Sequence, residues 1–405
     1  MARVLAEGPD CYIERQIAAE DPDDGLELRL ADCPGIHFSA AHIIFLHQSS
    51  AFSRSPIEGA LDDLRSAKVI RAVHANNQLA EVLVDFWYNH FNVYAYAWEP
   101  SVPAFEREAI RPHALGRFRD LLGAVAAHPA MLFYLDNYLS AGPRLVNGKS
   151  VVGLNENYGR ELLELHTVGV DAGYAQRDVF DAARTFTGWG IEGLADRGPP
   201  TYQFCFRPEL HDRGTKEVFG LRIAAGGGQE DGEALLDHLA AHPASARFVS
   251  SRLVQRFVAD DPPESLVTRC AATFLSTDGN IRSMLETIFR SEEFAAAREF
   301  GTKVKSPFDF VASSVRALGL EVRDGRGLVS SLADMGMPLY GCKPPTGYSN
   351  RGRDWLNPAS QVARFDLAFR LAAGAIAGVA PGPETRTAPV RAAGLALAGP
   401  PFQMR

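Results

Sequence analysis

Apolar residues return every three or four positions along most of this chain and seldom on alternate ones. That spacing puts them on one stripe of an α-helix. It predicts helices over 156–168, 175–187, 233–241, 243–258, 264–275, 280–289, 307–318 and 359–377, a long one over 76–98, and helical structure through 108–138. Strand-like alternation is confined to 201–207 and 216–223, which predict a small β-hairpin on a helical body. The expected fold is mainly α: one large multi-helix globular domain over 1–375 with a β-hairpin insertion at about 201–223. Residues 376–405, rich in Ala, Gly and Pro, read as a mobile C-terminal tail.

Polar groups interrupt this pattern most densely between Leu154 and Trp189. Asn155 is suited to cap a helix, because its side-chain oxygen can accept a backbone N–H of the first turn. Glu156 then meets the favourable end of the helix dipole, and Gly169 supplies the left-handed stop. Tyr158, Leu162 and Leu165 share an apolar face, while Asn157, Glu161 and Glu164 form a second, polar stripe. At about 100° per residue, His166 points roughly 140° from Glu161 and roughly 160° from Glu164. The run E-L-L-E-L-H is therefore no metal motif on one straight helix. It has neither two histidines four apart nor a histidine three after a glutamate. Two readings of the stripe stand side by side. In one, Glu156, Arg160 and Glu164 form a structural ladder of i,i+4 pairs. In the other, Glu161 and Glu164 floor a site as ligands or acid/base groups.

Glu81, Asp85 and Asn89 line a stripe at four-residue spacing. His90 lies on the apolar side with Leu83, Phe86 and Trp87, as a core histidine or as a ligand. Pro112 is expected to open a helix. That would put His113 beside the positive helix end, which favours the neutral imidazole that binds metal or accepts a proton; otherwise it helps to cap the turn. His128-Pro129-Ala and His242-Pro243-Ala look like one helix-start solution used twice. His211-Asp212 falls at the expected hairpin tip, exposed or functional. Residues 141–150 read as a loop able to cover a site. The loops at 170–174 and 277–281 lack the alternating acids and closing glutamate of a calcium site. Gly226-Gly227-Gly228 lacks the Gly-Lys-Ser/Thr of a phosphate loop.

Composition removes several classes. A net charge of −8 with no long Lys/Arg run argues against a nucleic-acid partner. Five scattered cysteines without a CxxC pair suggest neither a disulfide framework nor a zinc knuckle. No apolar run reaches the roughly eighteen residues of a membrane span. The first residues lack a signal-peptide core, so the default expectation is cytoplasmic.

Several long runs stand out: D-F-W-Y-N-H-F (85–91), I-R-P-H-A-L-G-R-F-R-D-L-L (110–122), H-P-A-M-L-F-Y-L-D-N (128–137), N-E-N-Y-G-R-E-L-L-E-L-H-T-V-G-V-D-A-G-Y (155–174), T-F-T-G-W (185–189), H-D-R-G-T-K (211–216), H-P-A-S-A-R-F (242–248) and the stretch Lys303-Val-Lys-Ser-Pro. In these runs the chain resembles a bacterial family of proteins of unknown function, the domain of unknown function numbered eighteen hundred. The resemblance carries no activity. It implies as partner a second, sulfatase-like protein encoded nearby, and export if the true start lies upstream, since the family usually begins with a further helix.

Together these observations give a leading expectation of a metal-assisted hydrolase. Its catalytic groups would be Asn157, Arg160, Glu161 and Glu164. A divalent metal would be held by Glu161, His90 and His113. The rival is a non-catalytic binding or scaffold protein acting with the sulfatase-like partner.

Overall fold

The computed structural model describes residues 7–19, 23, 25–49, 55–95, 99–146, 149–193, 201–301, 303–383, 385 and 389–405. Helices take up 61% of it, and the strands form only small antiparallel pairs, so the chain is mainly α. Most of the predicted helices are present within a few residues: Gln176–Thr185, Gln229–Ala240, Pro243–Phe257, Glu264–Ser276, Ile281–Phe289, Pro307–Leu318 and Pro358–Ala372. Their apolar stripes meet in one continuous core. Trp87, Phe91 and Phe118 pack together at its centre, and the Trp87 indole N–H donates to the Ala114 carbonyl (3.0 Å).

Four local features differ from the periodicity. The first long helix stops early, as Gln78–His90. Beyond it the backbone is recruited by the 338–350 coil: Ala95 N–H donates to the Tyr340 carbonyl, and the Asn92 amide donates to the carbonyls of Cys342 and Pro344. Residues 96–98 lie outside the described residues. Pro112 does not open a helix. It sits in a 3-10 turn, Arg111–His113, which closes a π-helical turn, Glu106–Ile110; the next helix begins at Phe118. Residues 141–150 contribute to a hairpin, Ala141–Val146 with Lys149–Gly153, rather than an open loop. The expected pairing of 201–207 with 216–223 is replaced by two shorter ones. Phe204–Phe206 pairs with Trp189–Ile191, and Lys216–Val218 turns back on Leu221–Ile223.

Residues 376–405 are not a free tail where described. Val379–Pro381 pairs with Leu320–Val322, and the Val390–Ala398 helix packs on Pro358–Ala372. Leu397 and Gln403 are buried. The doubled His-Pro-Ala is one solution used twice. Nδ1 of His128 accepts from Ala130 N–H, and Nδ1 of His242 accepts from Ala244 N–H, each at 3.1 Å. The histidine is the N-cap and the proline follows it, where no N–H is needed.

Candidate functional site

The central stretch folds as Asn157–Glu161 continued by a π-helical segment, Leu162–His166. Asn155 caps it, its side-chain oxygen accepting from Asn157 N–H (2.9 Å). Gly159 lets the Gln176–Thr185 helix come close: a Cβ there would lie 2.6 Å from Ala183 N. Gly169 ends the segment at φ 88°, under the Phe248 ring. The polar stripe is half-buried. Arg160 bridges Glu156 (3.4 Å) and Glu164 (3.6 Å), and Gln176 joins Glu156 (2.6 Å). The ladder read from i,i+4 spacing is therefore formed. Glu164 also accepts from the Tyr174 hydroxyl; burial and that bond push the phenol up to about 12. Glu161 has no ion pair among the described residues. Burial, then the neighbouring Glu164, raise its carboxyl above the ordinary range, against Arg160.

The imidazoles do not join this stripe. His90 is 3% exposed on the inner face of its helix, with Nε2 facing the His166 carbonyl (3.1 Å) and Nδ1 unpartnered. Burial, then the charge of Arg252, push it down to about 3. His166, also buried, falls to about 3. His113 is on the separate turn described above. Among the described residues no three His, Cys, Asp or Glu side chains are arranged to hold a metal ion. The expected trio Glu161, His90 and His113 is thus not assembled, because the helix that carries His90 turns it into the aromatic core. His211 is no exposed tip either. Its ring nitrogens face the Thr187 carbonyl (2.8 Å) and Asp231 (3.1 Å), and Asp212 is held by Arg184 (2.7 and 3.0 Å).

The structure instead opens a cleft of about 880 Å³ between one face of Gln78–His90 and one face of Pro307–Leu318. Four-residue periodicity lines both walls: Gln78, Glu81, Val82 and Asp85 on one, Phe308, Asp309, Ala312, Ser313 and Arg316 on the other. Ala72, Val73, Val82, Phe308 and Ala312 are apolar residues of the lining. Each carboxylate that lines the cleft is ion-paired, although Lys68 and Arg111 also serve the buried Glu106. Glu81 takes Arg111 (2.7 Å), and Asp85 takes the buried Lys68 (3.0 Å). Asp309 takes Arg256 and Arg405 (both 3.0 Å), and Glu321 takes Arg29. Arg256 and Arg405 hold the Asp309 carboxyl far below its usual range against the opposing effect of burial. Two lining cations have no carboxylate among the described residues. Lys305 lies over the Phe402 ring (3.7 Å), and Arg316 donates to the Val73 carbonyl (2.5 Å). At the Arg316 end, burial and the charges of Arg29 and Arg316 push His74 down to about 4, and its Nε2 accepts from Val322 N–H.

The family model described as a protein of unknown function (DUF1800) matches residues 1–404. The chain belongs to this family. No curated protein and no solved structure matches it. In this DUF1800 chain no described helix is long and apolar enough to cross a membrane. The Glu81–Asp85–Asn89 stripe was legible, and all three side chains are engaged at or beside the cleft, Asn89 through Tyr348. The cations of the opposite wall were missed. Their one signal was Lys303-Val-Lys-Ser-Pro, where Ser306 and Asp309 form a capping box that starts the wall helix.

Proposed function

We propose that this chain is a binding protein whose cleft takes an anionic ligand. The observation behind this reading is the mismatch of partners: the four lining carboxylates are all ion-paired, while Lys305 and Arg316 form no ion pair among the described residues. Eleven positions along a nearly helical wall separate the two cations by roughly 15 Å. An elongated ligand with negative groups at both ends meets both, over an apolar middle. Charge-assisted bonds of this kind contribute about 1.5–3 kcal/mol each. Phosphate and linear dicarboxylates, titrated by calorimetry at constant ionic strength, are the probes. Lys305→Ala or Arg316→Ala should each weaken the best dicarboxylate by about tenfold or more. Affinities unchanged in both variants would remove the reading.

A second reading keeps a hydrolase on the central helix, and the observation favouring it is Glu161. Its half-buried carboxyl has a raised proton affinity and no ion pair among the described residues, which suits a general acid or base. Asn157 would orient the substrate, while Arg160 and Glu164 would tune that carboxyl. Nitrophenyl esters and phosphates, assayed with wild type and Glu161→Gln, test this. A loss of about a hundredfold at unchanged melting temperature supports it, and equal rates overturn it. The scaffold reading with a sulfatase-like partner rests on the family resemblance, and co-purification tests it.

A further inference from the structure

We propose that Lys305 is a nucleophilic amine that forms an imine, within the cleft, with a carbonyl compound bearing a carboxylate or phosphate. The inference rests on the anion-binding reading above and adds covalent chemistry to it.

Lys305 is held by its backbone. Its N–H donates to the Gln403 carbonyl (2.8 Å), and its own carbonyl accepts from Arg364 (2.8 Å). The side chain therefore starts from a fixed point on the cleft wall, with Nζ over the Phe402 ring. The charged groups facing it are Asp309 on the wall helix, Arg405, and Arg364 on Pro358–Ala372. Asp309, which is also bound by Arg256 and Arg405, opposes burial only in part. Burial dominates, the two arginines add to it, and the ammonium is pushed down to about 8. Near neutral pH the free amine is then far more abundant than for an ordinary lysine. Lysines activated by desolvation and neighbouring cations are the ones that form Schiff bases.

The other described lysine side chains lack this combination. Lys68 sits between Asp85 and Glu106, and Lys216 is closed against Asp231. Lys303 is also pushed down to about 8, but its Nζ is spent on Asp260 and the carbonyls of Gln255 and Asn350. Lys343 is exposed beside Tyr94. The reaction needs no further reactant. The Lys305 nitrogen attacks the carbonyl carbon, a C–N bond forms, and the carbonyl oxygen takes up a proton. That oxygen then leaves as water with both amine hydrogens accounted for, giving a C=N bond. Arg405, which faces Lys305 and lines the same cleft while pairing with Asp309, is the cation nearest at hand for the anionic group.

The test uses the full chain with glyoxylate and cyanoborohydride, and peptide mass spectrometry to locate the secondary amine formed. Lys305 should be alkylated at least tenfold faster than Lys343, with a rate that rises through a midpoint near pH 8. Phosphate should protect it, and neutral acetaldehyde should label it far less selectively. Lys305→Arg should lose the adduct. Labelling of Lys305 no faster than Lys343, with phosphate still bound, overturns the imine and leaves the binding reading standing. Selective labelling without phosphate protection overturns the binding reading instead.

Discussion

Replacing Asp231 with asparagine should destabilise the fold by about 3–5 kcal/mol, the usual consequence of stranding one member of a buried ion pair. Asp231 is 4% exposed, and one of its oxygens takes both Lys216 Nζ (2.7 Å) and His211 Nε2 (3.1 Å). The Lys216 side chain has no exposure at all, and Asp231 is its ion-pair partner among the described residues, with the Asp212 carboxylate further off. Asparagine keeps the volume and removes the charge, which leaves that buried ammonium without its ion-pair partner. The double variant Asp231→Asn with Lys216→Met should recover most of the loss, because removing both members of such a pair is far less harmful than removing one. Urea denaturation of the three variants gives the coupling directly. A single variant within about 1 kcal/mol of wild type would mean that solvent reaches Lys216.

That network marks the boundary of what sequence alone could show. Periodicity located most helices, because a 3.6-residue repeat is a local property, and Ser306, Asn155 and the two His-Pro pairs announced their own helix starts. Strand pairing was not local. Thr201 to Arg207 alternates correctly but pairs with residues before it, since Arg207 N–H and the Gly188 carbonyl meet there (2.8 Å). His211 looked like a tip because it follows a turn, and its burial depends on Asp231, twenty positions away. The charged stripe of the central helix was visible in full. Spacing offered the Arg160 ladder as one of two readings; what it could not decide was that Glu161 would stand apart from it. The cleft was the least legible feature. Its partners, such as Lys68 with Asp85 and Arg405 with Asp309, are brought together only by the fold, and the surplus that singles out Lys305 and Arg316 is a difference between two long-range tallies.

A second large effect should appear as a pH dependence carried by one residue. Glu99 is 1% exposed; its carboxylate accepts from the Ser101 N–H (2.9 Å) and hydroxyl, and no described cation pairs with it. Burial pushes its carboxyl up to about 7, from an ordinary 4.5, against the Ser101 bonds. The folded state therefore holds this proton more tightly than the unfolded state. Below about pH 4.5 both states are protonated and the difference has no effect. As pH rises from there through 7, the unfolded chain gives up its proton first, and stability declines. At about 1.4 kcal/mol for each factor of ten in proton affinity, the full loss above pH 7 is about 3 kcal/mol. Glu99→Gln keeps an acceptor for Ser101 and has no proton to release. Its stability measured against wild type should therefore climb by about 3 kcal/mol between pH 4.5 and 8, with other titrating groups cancelling in the comparison. Denaturant midpoints at four or five pH values suffice. A difference that stays flat across that range would show that a cation or solvent reaches Glu99 in the folded protein, and the carboxyl would then titrate as an ordinary one.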